Sequence, residues 1–259
     1  MGKIITLITD FRTSDGYMGA VFGVIKSINP EVDIITIASN IPPADIRKAS
    51  RVLASSYPFY PCETVHMVVV DPTVGPERRA LLISDNRYFF VGPDNGVFSP
   101  VLEAYPDCKC YNITSEKFRI SFGSETFHGR DLLAPVASYL TLGIPLDQFG
   151  PEINDPIRIK CPEPERIGND IIGKVIDIDS FGNLVTNIPS EIINKDVTVI
   201  VCGRTIKGLS RSYADVPEKQ PLAYIGSSGY LEIAINKGNA ANYYGVLIFE
   251  EIKIIGAGE

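Results

Sequence analysis

The chain has 259 residues, 45% of them hydrophobic and 21% charged, with a formal net charge of −7. That composition is globular and long enough for one large or two ordinary domains. It has no lysine- or arginine-rich run to suit a nucleic acid, and no apolar run reaches the roughly 18 residues needed to span a bilayer.

Reading from the N-terminus, Lys3–Ile8 is an apolar strand and not a signal peptide. It runs into Thr9-Asp10-Phe11-Arg12, and Thr13–Gly16 carries helix-start chemistry. Met18, Val21, Phe22 and Ile25 recur at helical spacing, which predicts a helix over Tyr17–Ser27 stopped by Asn29-Pro30. Asp33–Ile37 is a second strand. After Ile41-Pro42-Pro43, Asp45–Ser56 is a second helix, and Val65–Val70 a third strand. Strand and helix alternate, which predicts an α/β N-terminal domain with a mostly parallel sheet.

The third strand leads into Asp71, a Pro- and Gly-rich turn over Pro72–Pro76, and then Arg78 and Arg79. Ligands of open α/β sheets bind outside the carboxyl ends of strands. A strand-end carboxylate with a guanidinium returned by a rigid turn is therefore a candidate polar site. The competing reading is a turn-capping Asp near a surface Arg. Ala80–Ser84 and Tyr88–Val91 form a hairpin-like pair, Gly92–Gly96 a structural turn, and Val97–Glu103 a short helix. Phe127-His128-Gly129-Arg130-Asp131 opens a helix running to about Leu142.

Pro151–Pro164 reads as a linker, which divides the chain into domains at 1–160 and 161–259. Beyond it the segments are short and β-rich: Ile171–Ile178, Val197–Val201, Leu222–Ile225, Tyr230–Ile235 and Val246–Ile255. Without helices between them they predict a small all-β C-terminal domain, a β-barrel or sandwich. The five cysteines, Cys62, Cys108, Cys110, Cys161 and Cys202, form no spaced framework and read as free thiols of a reducing cytoplasm. Cys108 and Cys110 lie too close for a usual disulfide, and no second pair completes a zinc site.

Five local patterns stand in order along the chain: ITDFRTSDGY, VVDPTVGPERR, ETFHGRD, IDSFGN and GSSGYL. Together they resemble the S-adenosyl-L-methionine (SAM) hydroxide adenosyltransferases, or SAM hydrolases, relatives of the fluorinases and chlorinases. The resemblance covers nearly the whole chain. It implies an α/β domain followed by a β-barrel. It also implies a homotrimer with composite active sites at subunit interfaces, and displacement at C5′ of the ribose by water or hydroxide. SAM is then the small-molecule substrate, with no metal and no cofactor. The family's catalytic triad falls on Asp71, Arg78 and His128, and the ribose-binding Asp on Asp10. The adenine- and methionine-binding residues fall on Phe127, Asp179, Phe181, Asn183 and Ser227. Departures from the fluorinases are Asp71 in place of Tyr, Gly129 in place of a halide-contacting Ser, Ala44 in place of a stacking Trp, and Ser228 in place of Arg.

Each residue also has a plain reading. His66, inside an apolar strand, is a hydrogen-bonded core residue. Arg79 is surface charge. Asp10 and Asp179 could be turn acids, Asn183 and Ser227 turn fillers, and Phe127 and Phe181 core residues. Two other functions stay open beside the hydrolase: a halide adenosyltransferase, and a non-catalytic SAM- or adenosine-binding protein.

Overall fold

The computed structural model describes residues 3–75, 77–120, 126–194 and 196–256. Pro76 of the expected turn and Glu125 of the ETFHGRD pattern lie outside them. The described residues fall into two compact units, Met1–Lys160 and Cys161–Glu259.

In the first unit the β-branched and aliphatic runs become strands. They are β1 (Ile4–Thr9), β2 (Asp33–Ala38) and β3 (Val65–Val69), with helices α1 (Tyr17–Ile28) and α2 (Ile46–Ser56) between them. Asp45 is the N-cap of α2, its carboxylate accepting the Lys48 N–H at 2.8 Å. β4 (Ala80–Ser84), β5 (Phe89–Pro93), α3 (Ser99–Ala104), β6 (Lys109–Asn112), α4 (Ala134–Thr141) and β7 (Glu152–Ile153) complete the unit.

The sheet order is β2-β1-β3-β5-β4-β6-β7. The expectation of a mostly parallel sheet is corrected to a mixed one. β2, β1, β3 and β5 pair in parallel, whereas β4 is antiparallel to both β5 and β6, and β6 to β7. The cause is local. The turn between β4 and β5 is short, with Asp85 accepting the backbone N–H groups of Arg87 and Tyr88, and so tight a turn can only join antiparallel strands. β6 and β7 were not legible, because Lys109-Cys110-Tyr111-Asn112 and Glu152-Ile153 are too short and too polar to show a period.

Alternate residues of β3 face opposite cores. Val65, Met67 and Val69 join Val21 and Ile25 of α1 and the α4 residues. Val68 and Val70 join Ala49 and Leu53 of α2 and Val101 and Leu102 of α3. The unit is a three-layer sandwich, helices on both faces of the sheet. His66 points into the second layer. Its Nδ1 lies 2.8 Å from the Thr6 hydroxyl and its ring stacks on Phe90 at 5.3 Å. Burial pushes its pKa down to about 3.

The second unit holds β8 (Glu165–Ile167), β9 (Asp170–Ile178), β10 (Leu184–Pro189), β11 (Thr198–Val201), β12 (Arg204–Lys207), β13 (Pro221–Ile225) and β14 (Tyr230–Ile235). A short helix α5 (Ala240–Tyr244) and β15 (Glu251–Ile255) follow. The pairing is antiparallel throughout, in the order β12-β11-β15-β9-β10-β14-β13, with β8 on β9. The sheet curls until it nearly closes, the Ser210 N–H just past β12 reaching the Ala223 carbonyl of β13 at 2.8 Å. The expected strand Val246–Ile255 is corrected to Glu251–Ile255. Gly245 ends α5 in the left-handed region, and Phe249 takes φ of 73°, so the chain cannot be extended before residue 251.

Candidate active site

β1 lies between β2 and β3 in the sheet. α1, between β1 and β2, packs on one face, and α2, between β2 and β3, on the other. The chain leaves β1 toward β2 and leaves β3 toward β4 and β5, in opposite directions, and beyond the carboxyl ends of two such strands is where open α/β sheets form a ligand crevice. Thr9 aligns with Val69 across the pair, so Asp10 and Asp71 both follow directly at the mouth of that crevice.

Arg78 returns to Asp71 across the intervening turn. Its Nη2 stands 2.5 Å from Asp71 Oδ2 and 3.0 Å from His128 Nδ1, while Nη1 donates to the Arg79 carbonyl at 2.7 Å. The Arg78 and Asp71 side chains are 7% and 8% exposed, so this is a buried ion pair and not a surface one. Asp71 Oδ1 accepts from the backbone N–H and hydroxyl of Thr73. The arrangement fixes the histidine tautomer. Arginine only donates, so His128 Nδ1 accepts and the ring proton sits on Nε2. That Nε2 is buried and has no partner among the described residues. Burial, with the charges of Arg78 and Arg119, holds the His128 pKa below its ordinary value, so the imidazole is neutral at pH 7. Burial also lowers the Arg78 pKa, against the pull of Asp71, and Arg78 remains a cation.

His128 opens a single π turn, Gly129–Leu133, ahead of α4. Such turns recur where a side chain must be re-aimed. Gly129 allows the turn to approach β3, since a Cβ there would sit 2.7 Å from Val69 Cγ1. The same contact explains why a serine at this position would not fit without movement. Phe127 is partly buried and packs edge-on against Phe11 and Tyr17 at 5.7 and 5.2 Å, with the Arg130 guanidinium 4.9 Å over its ring. Arg130 in turn clasps the buried Asp131 through Nε and Nη2 at 2.6 and 2.9 Å. Asp10 Oδ2 accepts the Ala44 N–H at 3.1 Å and so steadies a residue at φ of 66°.

Two supports escaped the sequence reading. Arg79 is not simple surface charge. It pairs with the buried Asp94 at 2.7 Å and with Asp155 at 2.9 Å. Asn95 Nδ2 donates to the Val70 carbonyl at 3.0 Å and pins the backbone just before Asp71. Within the Gly92–Gly96 turn the signal was present, but nothing in one sequence ties Asp94 to Arg79, 15 residues away.

In the second unit, Asp179 and Asn183 meet across the β9–β10 loop. Asp179 Oδ1 accepts the N–H groups of Phe181 and Asn183, and Oδ2 accepts Asn183 Nδ2 at 2.8 Å. Asn183 is buried and also donates to the Tyr213 hydroxyl at 2.9 Å. Phe181 is 75% exposed at the loop tip, so it is not a core residue. Ser227 is exposed in the β13–β14 turn, which the Gly229 N–H closes onto the Gly226 carbonyl. Tyr213, Tyr224 and Glu232, which continue the chain of hydrogen bonds from Asn183, were not singled out in the sequence. Among the described residues, no group of three or more His, Cys, Asp and Glu side chains is placed to hold a metal ion.

Comparison with known proteins adds the following. The chain is 33% identical over 249 residues to an (R)-S-adenosyl-L-methionine hydrolase of Thermus thermophilus, covering 93% of this chain and 95% of that protein. It is also 33% identical over 267 residues to one of Methanocaldococcus jannaschii, covering 97% and 95%. A fluorinase of an Actinoplanes species is 25% identical over 278 residues, 93% of each chain. A crystal structure of a conserved protein from Thermotoga maritima superimposes with a TM-score of 0.90 at 36% identity, covering 97% of this chain and 99% of that one. Residues 5–150 match the SAM hydroxide adenosyltransferase N-terminal domain and residues 173–253 its C-terminal domain. With both domains matched in order along one chain, the protein belongs to the SAM hydroxide adenosyltransferase family.

Proposed function

We propose that this protein hydrolyses SAM to adenosine and L-methionine, water attacking C5′ of the ribose. The observation that carries the reading is the buried Arg78–Asp71–His128 cluster beyond the carboxyl ends of β1 and β3, in which Arg78 Nε and His128 Nε2 are buried donors without a partner among the described residues. Relatives named as SAM hydrolases match over nearly the full length. Water needs no covalent nucleophile here. The C5′–O bond forms as the C5′–S bond breaks, the electron pair leaves with sulfur as a neutral thioether, and the oxygen sheds one proton overall. Catalysis then rests on aligning the oxygen in line with the leaving sulfur and on excluding bulk water. Arg78 and His128 hold the oxygen by donation, and Asp71 keeps Arg78 in place.

In this reading Asp10 accepts from the ribose hydroxyls, Phe127 and Phe181 contact the adenine, and Asp179, Asn183 and Ser227 take the methionine end. The ligand residues lie in both units. We therefore read the working form as a homotrimer, with each pocket completed by the C-terminal β-barrel of a neighbouring copy, and no metal or cofactor taking part. Turnover in ¹⁸O-water tests the chemistry. Label on the 5′-hydroxyl of adenosine supports hydrolysis. A 5′-halo-5′-deoxyadenosine as the main product in halide buffer would replace it with the transferase alternative, and SAM binding without turnover would leave a binding protein.

A further inference from the structure

We infer that Asp94 is a positioning residue for the reaction: it holds Arg79 by main chain and side chain together, and the Arg79 carbonyl so fixed sets the plane of the Arg78 guanidinium. This deepens the SAM reading above and rests on it. Arg78 meets the other two members of the cluster through Nη2, which faces Asp71 and His128 Nδ1. One nitrogen fixes a point and leaves a planar group free to swing about it. The second point is Nη1, which donates to the Arg79 carbonyl at 2.7 Å. That carbonyl also accepts the Asp94 N–H at 2.9 Å, one step beyond the Ala80–Pro93 rung of the β4–β5 ladder. Arg79 then folds its side chain back onto the same residue, with Nε and Nη2 standing 2.8 and 2.7 Å from Asp94 Oδ2. The peptide and the side chain of Arg79 are thus held by one partner.

Asp94 is itself held by the fold. Its side chain is 1% exposed, and its other oxygen, Oδ1, accepts the Ile157 N–H at 2.8 Å. Just before it, β5 lies close on β3, where a Cβ at Gly92 would stand 2.8 Å from the Val68 carbonyl. The next residue, Asn95, donates from Nδ2 to the Val70 carbonyl at 3.0 Å, on the peptide that leads into Asp71. Two adjacent residues of the turn after β5 therefore reach both members of the Asp71–Arg78 pair. A buried ion pair adds little net stability over an apolar filling, and its best-attested use is to fix one arrangement. The chemistry asks for a carboxylate. It offers one oxygen to Ile157 and the other to Arg79, whereas an amide presents its NH2 to one of them.

Asp94→Asn keeps the shape and removes one of the two acceptors. The expected result is a kcat lowered about tenfold, the worth of one charge-assisted hydrogen bond, with calorimetric SAM affinity within about twofold. In an Arg78→Lys background the same substitution should change kcat less than about twofold, because the group it positions is gone. Histidine resonances give a readout apart from turnover, since the chain has two histidines, His66 and His128. With ¹⁵N-histidine labelling, the His128 Nδ1 resonance should move in Asp94→Asn toward that of an imidazole nitrogen facing no donor, while those of His66 stay in place. Arg79→Lys leaves Asp94 a cationic partner and should fold with the same changes at smaller size, which decides the matter if Asp94→Asn does not fold. Folded variants with kcat and His128 resonances equal to wild type overturn the inference, as does an undiminished loss in the Arg78→Lys background. Wild type releasing no adenosine from SAM would instead refute the proposed reaction. In that case the His128 resonances alone decide the positioning role, displaced in the variants if it holds and unmoved if it does not.

Discussion

Arg78 sets one nitrogen, Nη2, against two partners, the Asp71 carboxylate as an ion pair and His128 Nδ1 as a hydrogen bond. A lysine ammonium lacks the planar fork that reaches both and the Arg79 carbonyl as well. Arg78→Lys should therefore lower turnover by roughly 10²–10³-fold, as expected for losing one preorganised electrostatic group. Calorimetric affinity for SAM should hold, because the group is proposed to touch the nucleophile and not the substrate. Gly129→Ser should destabilise by about 1–3 kcal/mol in chemical denaturation, since the new side chain meets Val69. His66 carries a pH dependence of its own. Its folded pKa is about 3 and lies below the ordinary 6.5, so the unfolded chain binds the extra proton. Its contribution is complete above pH 6.5 and is lost as pH falls toward 3, on the order of 4–5 kcal/mol across the window. Stability curves for His66→Gln should accordingly be flatter than wild type between those limits, and a parallel pair of curves would refute the assignment.

Among the elements, the start of β4 is held by Arg79 and the end of β5 by Asp94. The Asp94 side chain is 1% exposed and that of Asp155 68%, so the two ion pairs of Arg79 differ in kind. Removing Arg79 strands a buried carboxylate, and Arg79→Ala should cost about 3 kcal/mol, near the low end for a broken buried pair because Arg79 is itself partly exposed. Asp155→Ala should cost under about 1 kcal/mol, as for an exposed pair. Urea midpoints of the two variants separate these values. The clamp was invisible in sequence because the partners sit on different strands, and an Arg beside another Arg reads as surface charge.

Across the molecule, the candidate ligand groups are divided between two units with separate cores. If both ends of one substrate are held, the methionine end should be separable from the chemistry. Asp179→Ala should weaken SAM binding by about 1.5–3 kcal/mol, with kcat at saturation little changed. Calorimetry beside steady-state kinetics makes the comparison, and unchanged affinity would remove Asp179 from the methionine subsite. The trimer carries its own test. Specific activity should fall on dilution together with the mass seen by light scattering, and a fully active monomer would contradict it.

Sequence by itself determined the elements with a strong period. Tyr17–Ile28, Ile46–Ser56 and Val65–Val69 lie within a residue or two of where apolar spacing puts them, because each buries a continuous face. It also marked Asp10 and Asp71 as strand-end acids and His128 as the histidine outside an apolar run. Only the tertiary structure decided what those groups do to one another. Residues 71, 78 and 128 meet because the turn after β3 and the π turn before α4 converge beyond the carboxyl ends of β1 and β3. Likewise, the antiparallel turn at Asp85–Tyr88 made the sheet mixed. Contact, burial and proton direction depend on residues far apart in the chain, and local periodicity carries no record of them.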